Sequence, residues 1–120
     1  MMRGIVLAVA VGAGLLSAPI SAAAQDKAKI DQGAALFTSQ KCVLCHSIGA
    51  KGNKKGPLDE VGAKLKMDEI RQWIADPEAM RAKTNATRTP AMKQLKLGKE
   101  QIEALAAYLE TLKTPAAAPK

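Results

Sequence analysis

The stretch Cys42-Val43-Leu44-Cys45-His46 contains both cysteines of the chain, three positions apart, and its only histidine. Cys-x-x-Cys-His is the signature of covalent attachment of a c-type haem. Each thiol can add to one vinyl group of the porphyrin and form a thioether bond. The imidazole of the next residue then lies under the ring, where it can bind iron as an axial ligand. We therefore predict one covalent haem c, bound by Cys42, Cys45 and His46, with His46 on the iron.

Three other interpretations of the two cysteines are weaker. A redox-active dithiol needs no following histidine and usually lies in a βαβ pattern, which this sequence lacks. A zinc site needs two further nitrogen or sulfur ligands, and His46 is the only other candidate. A structural disulfide would have to close a very short loop. The haem interpretation alone accounts for all three residues.

Residues 1–24 have the pattern of a cleaved signal peptide. A short basic start (Met-Met-Arg) is followed by an uncharged run at residues 4–16, and the alanines at 22–24 fit the small-x-small cleavage rule. The uncharged run is shorter than the ~20 apolar residues that a membrane-spanning helix needs. We predict cleavage after the third of these alanines, no stable membrane insertion, and a mature chain located in the periplasm.

The predicted mature chain is one small domain, residues 25–114, with an Ala/Pro tail at residues 115–120 that we expect to be disordered. It has only three aromatic side chains: Phe37, Trp73 and Tyr108. A domain of this size commonly needs a disulfide, a metal or a cofactor to supplement its core. A large apolar haem would supply that need.

The chain carries a formal net charge of +7. Such a charge is typical of proteins that bind nucleic acid, anionic membranes or acidic proteins, although scattered lysines also serve solubility alone. The sequence has neither a recognisable nucleic-acid motif nor stacking aromatics, so we expect no nucleic-acid partner. For an exported protein, a redox partner with an acidic docking surface is the better prediction.

A first helix is predicted over residues 26–41. Ile30 and Phe37 lie on one face at helical spacing, and Asp26 is a suitable N-cap. Gly33 lies beside this face. A glycine inside a helix costs about 1 kcal/mol relative to alanine, so we expect another backbone to pass close to it.

The remaining sequence predicts two further main helices and no strands. Residues 67–75 have helical period and end before Pro77, and Asp76-Pro77 can start another turn as N-cap and first helical residue. The second helix follows Gly98 and is stopped by Pro115. Glycines and prolines mark residues 47–62 as loop, and residues 81–97 read as irregular chain. The predicted fold class is all-α.

The sixth ligand of the iron cannot be a second histidine of the same chain. It must be a methionine, a lysine or another weak donor, or the site is open. The methionines of the mature chain are Met67, Met80 and Met92. Met67 follows the haem motif too closely to leave much chain for wrapping the ring, and Met80 is predicted to lie in a turn just after Asp76-Pro77. Met92 lies in a proline-flanked loop that can reach the face opposite His46, and we favour it because a thioether is a soft ligand.

The sequence resembles a small bacterial class I cytochrome c over nearly all of the mature chain. Gly33-x-x-x-Phe37 before the haem motif is similar to the first helix of that family, and Leu105-x-x-Tyr108 is similar to its last helix. The resemblance implies the class I cytochrome c fold: three main helices and loops wrapped around one covalently bound haem. It also implies that the first and last helices cross at Gly33.

The resemblance further implies roles for Pro57 and Trp73. Gly56-Pro57 is similar to the family's Gly-Pro-x-Leu, although here Leu58 follows directly, and the family's proline carbonyl accepts the hydrogen bond of the haem histidine. Trp73 is similar to the aromatic residue that lies against the haem on the methionine side. Met92 departs from the pattern in one respect: the family's axial methionine is usually followed by proline, whereas Lys93 follows Met92 and Pro90 precedes it.

These observations predict a soluble, monomeric one-electron carrier without catalysis of its own. With His46 and Met92 on the iron, no coordination position is left for a substrate. Two alternatives remain open at this point: a haem subunit docked to a larger oxidoreductase, and a haem sensor with an open iron site.

Overall fold

The structure is a computed structural model of the chain that describes residues 12, 14, 15 and 17–113. Most of the predicted signal peptide and the whole predicted Ala/Pro tail lie outside the described residues. The cleavage and the disorder of the tail therefore stay predictions. Within the described residues, no helix is both long enough and apolar enough to cross a lipid bilayer.

The described chain is mostly helical, which confirms the predicted all-α class. Its elements in chain order are α1 (Ala22–Ser39), a 3₁₀ turn (Cys42–Leu44), β1 (Ser47–Ile48), β2 (Lys51–Gly52), α2 (Val61–Lys64), α3 (Met67–Ala75), α4 (Pro77–Thr84) and α5 (Lys99–Glu110). We call residues 85–98, between α4 and α5, the distal loop.

The start of α1 differs from the prediction. In the uncleaved chain, the Ser21 hydroxyl accepts a hydrogen bond from Ala24 N at 3.2 Å and caps the helix in place of Asp26. The reason is local: the three alanines after Ser21 have the highest helix propensity, and serine is a good capping residue, so the helix extends upstream of Asp26. The predicted cleavage would remove this cap.

The predicted start of a helix at Asp76-Pro77 is confirmed. The Asp76 carboxylate accepts from Ala79 N at 3.1 Å, and Pro77 is in the first turn of α4. Proline is tolerated there because its missing N–H would have had no intrahelical partner. Helix α4 continues through Thr84, four residues into the segment 81–97 that the sequence predicted as irregular.

Residues 47–52 form a small hairpin that the sequence did not predict. Ser47 pairs with Gly52 and Ile48 with Lys51 in antiparallel register. Gly49 and Gly52 have positive φ angles of 59° and 99°, in the left-handed region that glycine adopts without steric cost. Strands of two residues are too short to show an alternating pattern, so the sequence gives no sign of this hairpin.

Helices α1 and α5 cross at Gly33, as the resemblance implied. A Cβ atom on Gly33 would lie 2.6 Å from Tyr108 Cβ and closer still to the Ala104 carbonyl oxygen. Beside the crossing, the rings of Phe37 and Tyr108 pack edge to face with centroids 6.1 Å apart. The absence of a side chain at Gly33 is what lets the two backbones approach.

The core lies between α1, α3 and α5. Its buried members are apolar and come from these three helices: Phe37, Ile70, Ile74, Leu105, Ala106 and Leu109. An ion pair from Arg71 Nε to Glu103, at 2.8 Å, links α3 to α5 beside the core. This frame holds one wall of the cavity described below.

We expect Gly33→Val to destabilise the protein by about 1–3 kcal/mol or more, because overpacking at a backbone contact forces the helices apart. Thermal unfolding of the haem-loaded protein measures the effect. Ala35→Val, on the exposed side of the same helix, controls for the lower helix propensity of valine. Equal midpoints for the two variants would show that the crossing does not depend on Gly33.

Candidate functional site

A cavity of about 790 Å³ opens between the 3₁₀ turn, α3, α5 and the distal loop. This volume is within the range of about 300–1,000 Å³ that is usual for cofactor and ligand sites. Most of the lining side chains are apolar, among them Phe37, Leu58, Val61, Leu65, Ile70, Ile74, Leu95, Leu105 and Leu109. The cavity therefore fits a large, flat, mostly apolar group such as a porphyrin.

The haem motif forms one wall of this cavity. Helix α1 ends at Ser39, and Lys41, which has a φ of 59°, directs the chain into the 3₁₀ turn. The Cys42 carbonyl then accepts from Cys45 N at 3.1 Å and from His46 N at 2.9 Å. This tight turn places Cys42, Cys45 and His46 in the same lining.

Both thiols are free, with Cys42 half-buried and Cys45 exposed. Burial raises the pKa of the Cys42 thiol above its ordinary value. In the described part of the chain, no group of three or more His, Cys, Asp or Glu side chains could hold a metal ion. Two free thiols beside one histidine are the residues that thioether attachment of a haem needs.

The ring of His46 is held by a hydrogen bond to the backbone. Its Nδ1 lies 3.1 Å from the Gly56 carbonyl oxygen, which can only accept, so Nδ1 carries the proton in this hydrogen bond. Burial lowers the pKa of His46, the nearby Arg88 adds to this effect, and the Gly56 contact partly opposes it. The neutral ring is thus favoured, and Nε2 keeps a lone pair with which it could bind a metal.

The carbonyl that orients His46 belongs to Gly56 and not to Pro57, which corrects the prediction from the family resemblance. Ser47 forms a parallel bridge with Pro57, in which Ser47 N donates to Gly56 O at 3.0 Å and Leu58 N donates to Ser47 O at 2.8 Å. Successive carbonyls of an extended chain point to opposite sides. The Gly56 carbonyl therefore faces His46, while Pro57 lines the cavity.

Trp73 and Met92 lie in the lining of the same cavity. Met80 does not: it is buried in α4 with 3% of its surface exposed. Met67 lines a separate groove against α1 and α5. The structure thus brings together every residue that the sequence nominated for the site, namely Cys42, Cys45, His46, Pro57, Trp73 and Met92.

Sequence reasoning missed Arg88, which reaches across the edge of the cavity. Its Nη2 donates to the Cys45 carbonyl at 2.6 Å. The guanidinium also lies against the Gly56 backbone, where a Cβ atom would collide with it and with the Cys45 carbonyl. An isolated arginine in an irregular loop carries no pattern that would have indicated this contact.

Positive side chains surround the opening of the cavity. They are Lys41, Lys64, Arg81, Arg88 and Lys93, and the only carboxylate in the lining is Glu60, which pairs with Lys64 at 3.3 Å. The rim of the cavity is therefore cationic.

The sequence profile of one protein family, Cytochrome c, matches residues 30–113. The chain belongs to the cytochrome c family. It is accordingly an electron-transfer haem protein with covalently attached haem c and its iron, and the predicted family, fold and cofactor are confirmed.

One curated relative of this cytochrome c is cytochrome c oxidase subunit 2 of Alkalihalophilus pseudofirmus. The two are 28% identical over 92 residues, which cover 69% of this chain and 25% of the relative. The chain thus spans about a quarter of the length of that relative. No solved structure matches the chain significantly.

Proposed function

We propose that this cytochrome c is a soluble, monomeric one-electron carrier of the periplasm, with His46 and Met92 as the axial ligands of its haem. The observation that carries the proposal is the position of Met92 in the lining of the cavity that also contains the haem motif. The haem iron supplies the Fe(II)/Fe(III) couple. With a protein side chain on each side of the iron, no position is left for a substrate, and the protein has no catalysis of its own.

Each residue of the site has a distinct task in this proposal. Cys42 and Cys45 hold the group by thioether bonds, and the Gly56 carbonyl fixes the ring of His46. The thioether of Met92 is a soft donor that favours the ferrous state and raises the potential. Trp73 and the apolar wall keep water from the ring, which lowers the reorganisation of solvent when charge changes.

The cationic rim favours a redox partner with an acidic docking surface. Complementary charge mainly accelerates association, and it does so most strongly at low ionic strength. The electron would pass at the edge of the cavity, near the exposed Cys45. Screening by salt should therefore slow the reaction with an acidic partner without changing the midpoint potential.

A second candidate is a haem subunit docked permanently to a larger oxidoreductase. The observation that favours it is the match to a cytochrome c oxidase subunit 2. The matched region makes up 25% of the length of that relative. Gel filtration of a native extract separates the two candidates. A free carrier elutes as a small haem protein, whereas a subunit co-elutes with oxidase activity.

The carrier proposal predicts that the reduced protein resists carbon monoxide and takes up one electron per haem. A protein ligand on each side of the iron must leave before carbon monoxide can bind, so the visible spectrum of the ferrous form should change little under the gas. A stoichiometric reductive titration counts the electrons. Rapid, complete carbon monoxide binding by the unaltered protein would instead favour the open-site sensor.

A further inference from the structure

The segment that carries Met92 is weakly attached to the rest of the protein through its backbone. Within the described part of the chain, residues 87–97 make no backbone-to-backbone hydrogen bond. Two side chains of this segment bond to other parts of the fold: Arg88, which precedes Met92, and Gln94, which follows it. The position of Met92 therefore depends on side-chain contacts.

Arg88 attaches the distal loop to the haem motif. Its Nη2 donates to the Cys45 carbonyl at 2.6 Å, next to the histidine on the opposite side of the cavity. The guanidinium fits there because Gly56 has no side chain. A planar guanidinium offers several donors in a fixed arrangement, which lysine does not reproduce.

Gln94 attaches the other side of Met92 to α3. Its Nε2 donates to the Ala75 carbonyl at 2.5 Å. The last carbonyls of a helix lack intrahelical donors, so this bond satisfies an acceptor that would otherwise need water. Beyond Gln94, Leu95 and Leu97 pack against the core and fix the chain that leads into α5.

We propose that Arg88 and Gln94 are positioning residues that hold Met92 at the iron and control how readily an outside ligand replaces it. This inference rests on the proposed ligation by Met92. An outside ligand would compete with Met92 for the haem and would bind only in molecules in which the loop has moved away from the cavity. Its apparent affinity is therefore proportional to the fraction of molecules in which the loop is open.

The test is the binding of imidazole to the oxidised, haem-loaded protein. The titration is run at a pH at which imidazole is neutral. Removing the charge of Arg88 then does not directly change the attraction of imidazole to the site. We expect the affinity for imidazole to rise about tenfold in Arg88→Gln, because a charge-assisted hydrogen bond is lost, and about three- to tenfold in Gln94→Ala. If the two attachments act independently, the factors multiply in the double variant.

Lys96 provides the matched control. It is an exposed residue of the same loop outside the cavity lining, so Lys96→Gln and Lys96→Ala should leave imidazole affinity unchanged. Arg88→Lys keeps the charge but not the planar donor arrangement and should give an intermediate affinity. Faster limited tryptic cleavage after Lys93 in Arg88→Gln and Gln94→Ala than in Lys96→Gln would report the loosened loop independently of the ligand.

Two outcomes would overturn the inference in distinguishable ways. If Met92→Ala raises imidazole affinity while Arg88→Gln and Gln94→Ala behave like Lys96→Gln, Met92 is a ligand but these residues do not position it. If Met92→Ala also leaves imidazole affinity unchanged, the proposed ligation fails, and the positioning role fails with it.

Discussion

Oxidised Met92→Ala is expected to lose the weak sulfur-to-iron charge-transfer band at the red edge of the visible spectrum. Its ferrous form should bind carbon monoxide rapidly, because the coordination position opposite His46 becomes open. Loss of thioether donation should also lower the midpoint potential. We expect a shift on the order of 0.1 V, within the span of about 0.8 V that axial ligands cover.

Met80→Ala is the informative comparison, because Met80 is buried outside the cavity. Truncating a buried methionine typically costs about 2–5 kcal/mol, so this variant should unfold at lower temperature. Its charge-transfer band, carbon monoxide resistance and potential should be nearly unchanged. The reverse pattern, with the band lost in Met80→Ala and kept in Met92→Ala, would transfer the ligand role to Met80.

The covalent attachment of the haem should depend on both cysteines. Unaltered protein should retain its haem through acid–acetone extraction and on denaturing gels. Cys45→Ala should keep at most one thioether and accumulate poorly, and the variant without either cysteine should release all of its haem on extraction. We expect these variants to be less stable, because an apolar cavity of about 790 Å³ would then lack covalently bound haem.

Leu44→Ala is the control for this experiment, since Leu44 lies between the two cysteines and is 68% exposed. It should accumulate normally and retain its haem through extraction. Haem that extracts freely from the unaltered protein would contradict attachment through Cys42 and Cys45.

Local sequence patterns predicted much of the helical frame. The bounds of α3 agree with the predicted 67–75, and α4 starts at Asp76-Pro77, because capping and proline effects act over a single turn. Helix α1 was predicted over residues 26–41 and spans Ala22–Ser39, so its start was placed four residues too late and its end two residues too late. In the uncleaved chain, Ser21 caps the start of this helix in place of Asp26.

The contacts across the cavity could not be predicted in the same way. Arg88 and Cys45 are far apart in the chain, and nothing in the residues around Arg88 indicates the hydrogen bond between them. The family resemblance led to the carbonyl of Pro57 as the partner of His46. The bridge between Ser47 and Pro57 points the Gly56 carbonyl, and not that of Pro57, toward His46.

The sequence by itself determined the chemistry of attachment, because two thiols and an imidazole within five residues form one local turn whatever surrounds them. It also determined the crossing at Gly33, where only a missing side chain lets α5 approach. Only the tertiary structure decided that Met92 lines the cavity while Met80 is packed away in α4. Both methionines have the same thioether and are equally suitable as ligands by chemistry. The position of Met92 depends on the path of the distal loop, which contacts with Cys45 and Ala75, both distant in the chain, determine.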